Sequence, residues 1–162
     1  MRKYAALLAV MALALGACST AGAAPSDVTF DLSVIEIKGA TDGIDAPSVD
    51  PTTLSLGYGY KPPGEYDAEN PAKWQVATYM FNDTSLSVVE GDDVTLRIFG
   101  INGDAHEMWV EAPDGTKVTD VVTLNRGREL TLEFTAEELG HYKVICSTHA
   151  PTMTADILST TG

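Results

Sequence analysis

The strongest constraint on the fold is a series of short alternating segments in the second half of the chain. Between Trp74 and Leu158, runs of about four to eight residues alternate apolar with polar side chains and are rich in Val, Ile, Thr and aromatic residues. The turn sequences EGDD, PDGT and NRGR separate several of these runs. This pattern predicts an all-β domain built as a Greek-key β-sandwich or barrel.

The segments that we predict as strands lie at residues 28–37, 74–81, 86–89, 94–99, 106–112, 117–124, 129–134, 141–146 and 153–158. The sequence TAEELG, which precedes the strand at 141–146, predicts one helical turn because Thr135 and Glu138 have the spacing of a capping box. Residues 39–73 are rich in Gly, Pro, Asp and Tyr, and they predict a long irregular insert.

The N-terminus has the composition of a secretory signal. Arg2 and Lys3 precede an apolar run over residues 4–15, which is too short to cross a bilayer as a stable helix. The sequence LGAC then ends at Cys18 and resembles a bacterial lipobox, in which the cysteine becomes the lipidated first residue of the mature protein. An ordinary signal that is cleaved near the sequence AGAA is the alternative.

The resemblance to a lipobox implies a division of the chain into three parts. They are a signal peptide over residues 1–17, a lipidated tether over residues 18–26 and a folded domain over residues 27–162, which contains the insert. We therefore expect an exported protein that is anchored to a membrane by lipid on Cys18 and faces the periplasm or the cell exterior.

The cysteine count leaves one thiol to be explained. The chain has two cysteines, and lipid on Cys18 would leave only Cys146. A disulfide between them would join a flexible tether to the far end of the domain and would constrain the fold little. An unpaired thiol in an oxidising compartment therefore indicates a specific chemical role.

The acidity of the chain limits its partners. The whole chain has a formal charge of −13, and loss of Arg2 and Lys3 with the signal peptide leaves eight Lys and Arg against 23 Asp and Glu, or −15. This charge disfavours nucleic acid and anionic lipid as partners. It suits a protein partner with a basic docking face, and solubility alone is the alternative explanation.

The strand HYKVIC directs the thiol of Cys146. Alternation places Cys146 on one face of this strand with Tyr142 and Val144. The loop STHAPTM follows and supplies His149 and Met153, which lie close to the cysteine in sequence.

A further ligand is available upstream, where His106 begins a predicted strand after the loop INGDA. Loops at one end of a sandwich cluster, so His106 can meet Cys146, His149 and Met153. Two imidazoles, one thiolate and a weak thioether form the ligand set of a blue-copper electron-transfer site. Metal binding also explains why the thiol is neither paired nor oxidised.

The sequences VVEGDDVTLRIFGINGDAH and LGHYKVICSTHAPTM resemble the two halves of a cupredoxin domain. The resemblance implies one type 1 copper ion, with His106, Cys146 and His149 as the trigonal ligands and Met153 as the axial ligand. It also implies single-electron exchange with redox protein partners. Four protein ligands leave no open position for a substrate, so we expect that the chain is not an enzyme.

One departure from the family keeps a second function open. Cupredoxins commonly carry asparagine after the first copper histidine, whereas this chain carries Glu107. A carboxylate near the metal resembles the red copper site of nitrosocyanin, which implies small-ligand binding. The sequence is also compatible with copper delivery or storage, and with a metal-free adhesion module that has the same sandwich.

Strand alternation also assigns residues outside the site. His141 falls on the face opposite to Cys146 and is predicted at the surface. Met108 shares the face of His106 and is predicted in the core, as are Met80 and Trp74.

Overall fold

We describe residues 22–40, 53, 57–60 and 75–162 from a computed structural model. These residues contain ten strands and no α-helix, which confirms the all-β prediction. The strands are β1 (Asp27–Ala40), β2 (Gly59–Tyr60), β3 (Gln75–Phe81), β4 (Ser85–Val89), β5 (Asp93–Gly100), β6 (Ala105–Glu111), β7 (Val122–Asn125), β8 (Glu129–Thr135), β9 (Gly140–Cys146) and β10 (Thr154–Thr160).

The strands form two five-stranded sheets with the orders β2-β3-β1-β5-β8 and β4-β10-β9-β6-β7. The pairs β1–β5 and β4–β10 are parallel, and the other pairs are antiparallel. Some neighbours, such as β1 with β5 and β4 with β10, are distant in sequence, whereas β2–β3, β6–β7 and β9–β10 are consecutive, as expected of a sandwich with crossovers between its sheets.

Alternating side chains from both sheets fill the core between them. In β9, Tyr142, Val144 and Cys146 are buried while His141 and Lys143 are exposed, as the sequence predicts. Each large apolar side chain removed from water in this way contributes about 1.5–3 kcal/mol. The largest fully buried apolar side chains are Leu32, Phe81, Leu96, Ile98, Met108, Leu124, Tyr142, Met153 and Ile157.

The turn EGDD fastens one end of the sandwich through Asp92. Its buried carboxylate accepts hydrogen bonds from the backbone N–H of Val89 at 2.7 Å and from the backbone N–H and hydroxyl of Ser26 at 2.7 and 3.3 Å. The bonds from Val89 and then Ser26 lower the pKa of Asp92 below its ordinary value, against the opposing effect of burial. The turn between β4 and β5 is thereby joined to the start of β1.

The predicted helical turn at TAEELG is wrong. Thr135 instead ends β8 opposite Asp93, and its hydroxyl donates to the Asp93 carboxylate at 2.7 Å rather than to a helix N-terminus. The backbone N–H of Glu138 donates to the phenolic oxygen of Tyr142 at 2.9 Å. Strand pairing has therefore taken the Thr135 hydroxyl and the packed Tyr142 side chain has taken the Glu138 N–H, the two groups that a capping box would use.

Two further expectations need correction. Residues 117–124 do not form one strand: Lys117 makes a single bridge to Glu111, and β7 begins at Val122. The hydroxyl of Thr119, between them, accepts a hydrogen bond from Val110 and holds the segment away from regular pairing. Met80 is only half-buried, because it lies on the outer face of its sheet, whereas Met108 is fully buried as predicted.

Several predictions fall outside the described residues, namely the signal peptide, the lipidated Cys18 and Trp74. Of the insert at 39–73, the structure describes residues 39, 40, 53 and 57–60. In the parts of the chain that the structure describes, no helix has the length and apolar character needed to cross a bilayer.

Candidate metal centre

The pairing of β6 with β9 brings the first histidine to the cysteine. Met108 lies opposite Cys146 in this antiparallel pair, and His106 is two residues from Met108 on the same buried face. His106 is therefore placed beside the loop that leaves β9 after Cys146. The loop carries His149 back over the same point.

The structure brings His106, Cys146 and His149 together. The Sγ atom of Cys146 lies 3.7 Å from Nδ1 of His106 and 3.8 Å from Nδ1 of His149. One ligand atom from each residue lies within 4.8 Å of those of the other two. Cys146 and His106 are 0% and 1% exposed, whereas His149 is half-buried.

A backbone carbonyl fixes the tautomer of His106. Nε2 of His106 lies 3.1 Å from the carbonyl oxygen of Asn102, so Nε2 carries the proton and Nδ1 presents its lone pair to the cluster. The Asn102 side chain donates in turn to the carboxylate of Glu36 at 3.1 Å. Gly103 has φ +90°, and a Cβ atom there would collide with the His106 ring.

Burial controls the protonation of the cysteine. Desolvation raises the pKa of the Cys146 thiol, while hydrogen bonds from the backbone amides of His149 and Thr148 act in the opposite direction. The negative charge of Glu107 raises this pKa further. The thiol therefore stays protonated at neutral pH until a metal ion displaces the proton.

The ligand loop closes on itself through backbone hydrogen bonds. Ala150 N–H donates to the carbonyl of Cys146 at 3.1 Å, and Met153 N–H donates to the carbonyl of His149 at 2.8 Å. Cys146 N–H donates to the carbonyl of Met153 at 3.1 Å. These bonds hold Met153, whose side chain is fully buried, next to the cysteine and the histidine.

Glu107 lies on the solvent face of β6 and is not part of the cluster. The backbone N–H of Ser147 donates to the Glu107 carbonyl at 2.9 Å, and the Ser147 hydroxyl lies 3.5 Å from the Glu107 carboxylate. Glu107 and Ser147 therefore connect the two segments that carry the ligands. This chain makes the connection without the asparagine that cupredoxins commonly carry after the first copper histidine. A nitrosocyanin-like red copper site needs a carboxylate near the metal, and the position of Glu107 argues against it.

An aromatic ring that the sequence did not single out lies against both histidines. The Tyr79 ring centroid is 4.9 Å from that of His106, in an edge-to-face arrangement, and 4.6 Å from that of His149. Alternation along residues 74–81 places Tyr79 on the same face as Phe81, but only the pairing of β3 with β1 shows which end of the core it occupies. His141, the third histidine, is exposed with Nδ1 3.9 Å from the carboxylate of Asp156, as predicted for a surface residue.

The donor set fits one metal ion. Metal–nitrogen and metal–sulfur bonds of about 2.0 and 2.3 Å at about 120° separate nitrogen from sulfur by about 3.7 Å. The two observed separations are 3.7 and 3.8 Å. One thiolate and two imidazoles suit copper.

No family model matches this sequence, and no curated protein matches it. Solved structures do match the fold. The copper nitrite reductase from Nitrosomonas europaea is 18% identical over 83% of this chain and 41% of that chain, with a TM-score of 0.51. The Cu-containing nitrite reductase from Thermus scotoductus is 15% identical over 84% and 28%, with a TM-score of 0.50.

The Blue Copper Oxidase from Nitrosomonas europaea is 19% identical over 83% of this chain and 38% of that chain, with a TM-score of 0.49. This chain thus spans between 28% and 41% of the length of these three proteins. The two nitrite reductases support a β-sandwich of the cupredoxin type.

The expectation that the chain is not an enzyme is wrong, because the solved structures that match it are copper enzymes by name. The count of ligands at one copper does not decide the question, since electrons that pass through a saturated copper can serve chemistry at another centre. The chain has a cupredoxin-type fold with a His–Cys–His candidate metal site.

Proposed function

We propose that the chain is an exported copper protein that passes single electrons through one mononuclear type 1 copper ion. His106, Cys146 and His149 would hold the ion, with Met153 as the axial ligand. The observation that carries this proposal is the approach of two imidazole Nδ1 atoms to one buried thiol, at 3.7 and 3.8 Å.

A copper ion bound there supplies a centre that accepts and releases one electron. The residues of the chain supply its surroundings. Asn102 keeps the proton of His106 on Nε2, so that Nδ1 stays available. The buried position of Cys146 excludes water and oxidants from the sulfur. Ligands held by a rigid sandwich move little when the charge changes, which keeps the reorganisation energy small.

The electron-transfer step is the same whether the chain works alone or feeds a catalytic copper elsewhere. His149 is the half-buried ligand and gives the shortest route to the surface. A redox protein with a basic face suits the formal charge of −13 for the whole chain. Lipid on Cys18, which would hold the domain at a membrane, belongs to the same proposal, and the mass of the mature protein tests it.

Copper titration of the full chain tests the site. The metal stabilises only the folded state, so the melting temperature should rise with copper concentration. His149→Ala and Cys146→Ser should remove most of this rise. His141→Ala is the matched control, because His141 is exposed and lies outside the cluster, and it should melt like the wild type. Equal copper responses in all four proteins would refute the assignment.

A further inference from the structure

Residues 57–60, in the middle of the insert, pack against the ligand loop. In β2, Gly59 pairs with Ala77 at the edge of β3, so the chain at Gly57 is delivered beside His149. Gly57 has φ +69°, and a Cβ atom there would lie 2.7 Å from the His149 carbonyl oxygen and 2.8 Å from the Thr152 hydroxyl. The contact is backbone against backbone and leaves no room for a side chain at position 57.

Two hydroxyls, that of the buried Thr78 and that of the half-buried Thr152, connect the same three segments. The Thr78 hydroxyl lies 2.7 Å from the Gly57 carbonyl and 2.8 Å from the Thr152 hydroxyl. The Thr152 hydroxyl lies 2.7 Å from the His149 carbonyl. Each hydroxyl has one hydrogen, so two of these three contacts are hydrogen bonds at any moment. Thr78 is 3% exposed, so its hydroxyl lies within the protein rather than in bulk water.

The imidazole of His149 borders the same region. A cavity of about 270 Å³ lies beside this ring, and its walls include Gly57, Tyr58 and Tyr79. Tyr79 contacts the ring directly at a centroid distance of 4.6 Å. Segment 57–60 is thus adjacent to the backbone of His149 through Gly57, and its residues 57–59 line one cavity with His149.

We propose that Gly57, Thr78 and Thr152 are positioning residues for His149. The inference rests on the proposed function, because it assigns these residues to a copper ligand. Together with the Met153 N–H they fix the His149 carbonyl, and so hold Nδ1 at its distance from the thiol before metal arrives. The insert, which the small cupredoxins lack, would supply support for a ligand that lies in the loop outside the strands.

Two glycines of the same segment give a matched test. Gly57→Ala introduces a collision and an unfavourable φ, whereas Gly59→Ala meets only one atom, at 4.0 Å, and needs no positive φ. Amide hydrogen exchange at Met153 in the metal-free full chain reports the bond to the His149 carbonyl. We expect exchange about tenfold faster in Gly57→Ala and unchanged in Gly59→Ala.

The hydroxyl is tested by a separate pair of variants. Thr78→Val keeps the side-chain shape and removes the donor, so it should speed exchange at Met153, and Thr78→Ser should restore the wild-type rate. In the copper-loaded chain, Gly57→Ala and Thr78→Val should shift or broaden the thiolate-to-copper absorption, whereas Gly59→Ala and Thr78→Ser should not.

Wild-type exchange in both Gly57→Ala and Thr78→Val would overturn the inference, as would equal acceleration in the two glycine variants. If Gly57→Ala does not fold, the Thr78 pair decides alone. Exchange is measured without copper and therefore tests the inference directly. The copper spectrum of the wild type tests the proposed function separately, so the failure of one is distinguishable from the failure of the other.

Discussion

The two histidines of the site are held in different ways. His106 lies in β6, between β9 and β7, and is almost fully buried. Asn102 fixes its ring, and Glu36 of the other sheet fixes Asn102. His149 lies in a loop and is half-buried, and its carbonyl accepts hydrogen bonds from within the loop and lies against Gly57 of the insert.

This difference separates two tasks that one site must perform. A ligand fixed by both sheets keeps the geometry of the metal site constant, whereas a ligand near the surface gives electrons a path to a partner protein. The loop ligand needs its own support, because none of the strands that the structure describes pairs with residues 148–153. The comparison predicts that substitutions at or around His106 lower both the stability of the fold and the binding of copper. Substitutions at or around His149 should lower chiefly the binding of copper.

The largest contrast is expected between His106→Ala and His149→Ala. His106→Ala leaves a buried cavity and an Asn102 carbonyl without its donor, which should lower the free energy of unfolding by about 2–4 kcal/mol. His149→Ala should cost about 1 kcal/mol, since its side chain is partly in water. Added imidazole should restore the copper absorption of His149→Ala alone, because only that gap is open to solvent. Equal losses of stability in the two variants would contradict the difference between the two histidines.

A second contrast uses two glycines with the same backbone conformation. Gly103 and Gly115 have φ of +90° and +87°, but only Gly103 lies against another group, the His106 ring. Alanine at Gly115 should cost about 1 kcal/mol from φ alone, and alanine at Gly103 about 2–3 kcal/mol. Denaturant unfolding measures both. Equal costs would show that the ring is not clamped by this loop.

Met153 shares a feature with each histidine, because it belongs to the loop, like His149, yet is fully buried, like His106. Met153→Leu should keep stability within about 1.5 kcal/mol, since the volume is conserved. If Met153 is the axial ligand, Met153→Gln should keep the copper and lower the reduction potential, which the axial group tunes. Voltammetry of the copper-loaded variants measures this, and an unchanged potential in Met153→Gln would remove Met153 from the ligand set.

The smallest effect on the copper site is expected from a substitution of Asp92, which precedes β5, whereas the loop to His106 follows this strand. Its pKa is lowered in the folded chain, so its contribution to stability is complete above the unfolded pKa of about 3.8 and disappears as pH falls through the folded value. Asp92→Asn should therefore be less stable than the wild type near pH 7, and the two should converge in acid. Its copper absorption should match the wild type at neutral pH, and an altered band would mean that the two ends of the sandwich are coupled.

Much of the fold and of the site geometry followed from local pattern. Alternation along residues 141–146 predicted the inward thiol, and the turns predicted most strand limits. The grouping of His106 with Cys146 and His149 followed from ligand chemistry and a family resemblance.

Contacts between distant strands could not be predicted in this way. The place of Tyr79 depends on the register of β3 against β1, and the role of Gly57 on the pairing of β2. The carbonyl of Asn102 leaves no mark in the sequence, because any residue supplies one. The helical turn predicted from Thr135 and Glu138 was wrong for the same reason. A capping-box spacing is a local pattern, whereas the hydrogen-bond partners of these residues, Asp93 and Tyr142, are set by strand pairing and packing.

The most direct test of the central claim is the visible absorption of the copper-loaded chain, compared with that of Cys146→Ser. The wild type should show an intense blue thiolate-to-copper charge-transfer band that the serine variant lacks entirely. A colourless or red wild type, or a band that survives in Cys146→Ser, would contradict a type 1 copper site at His106, Cys146 and His149.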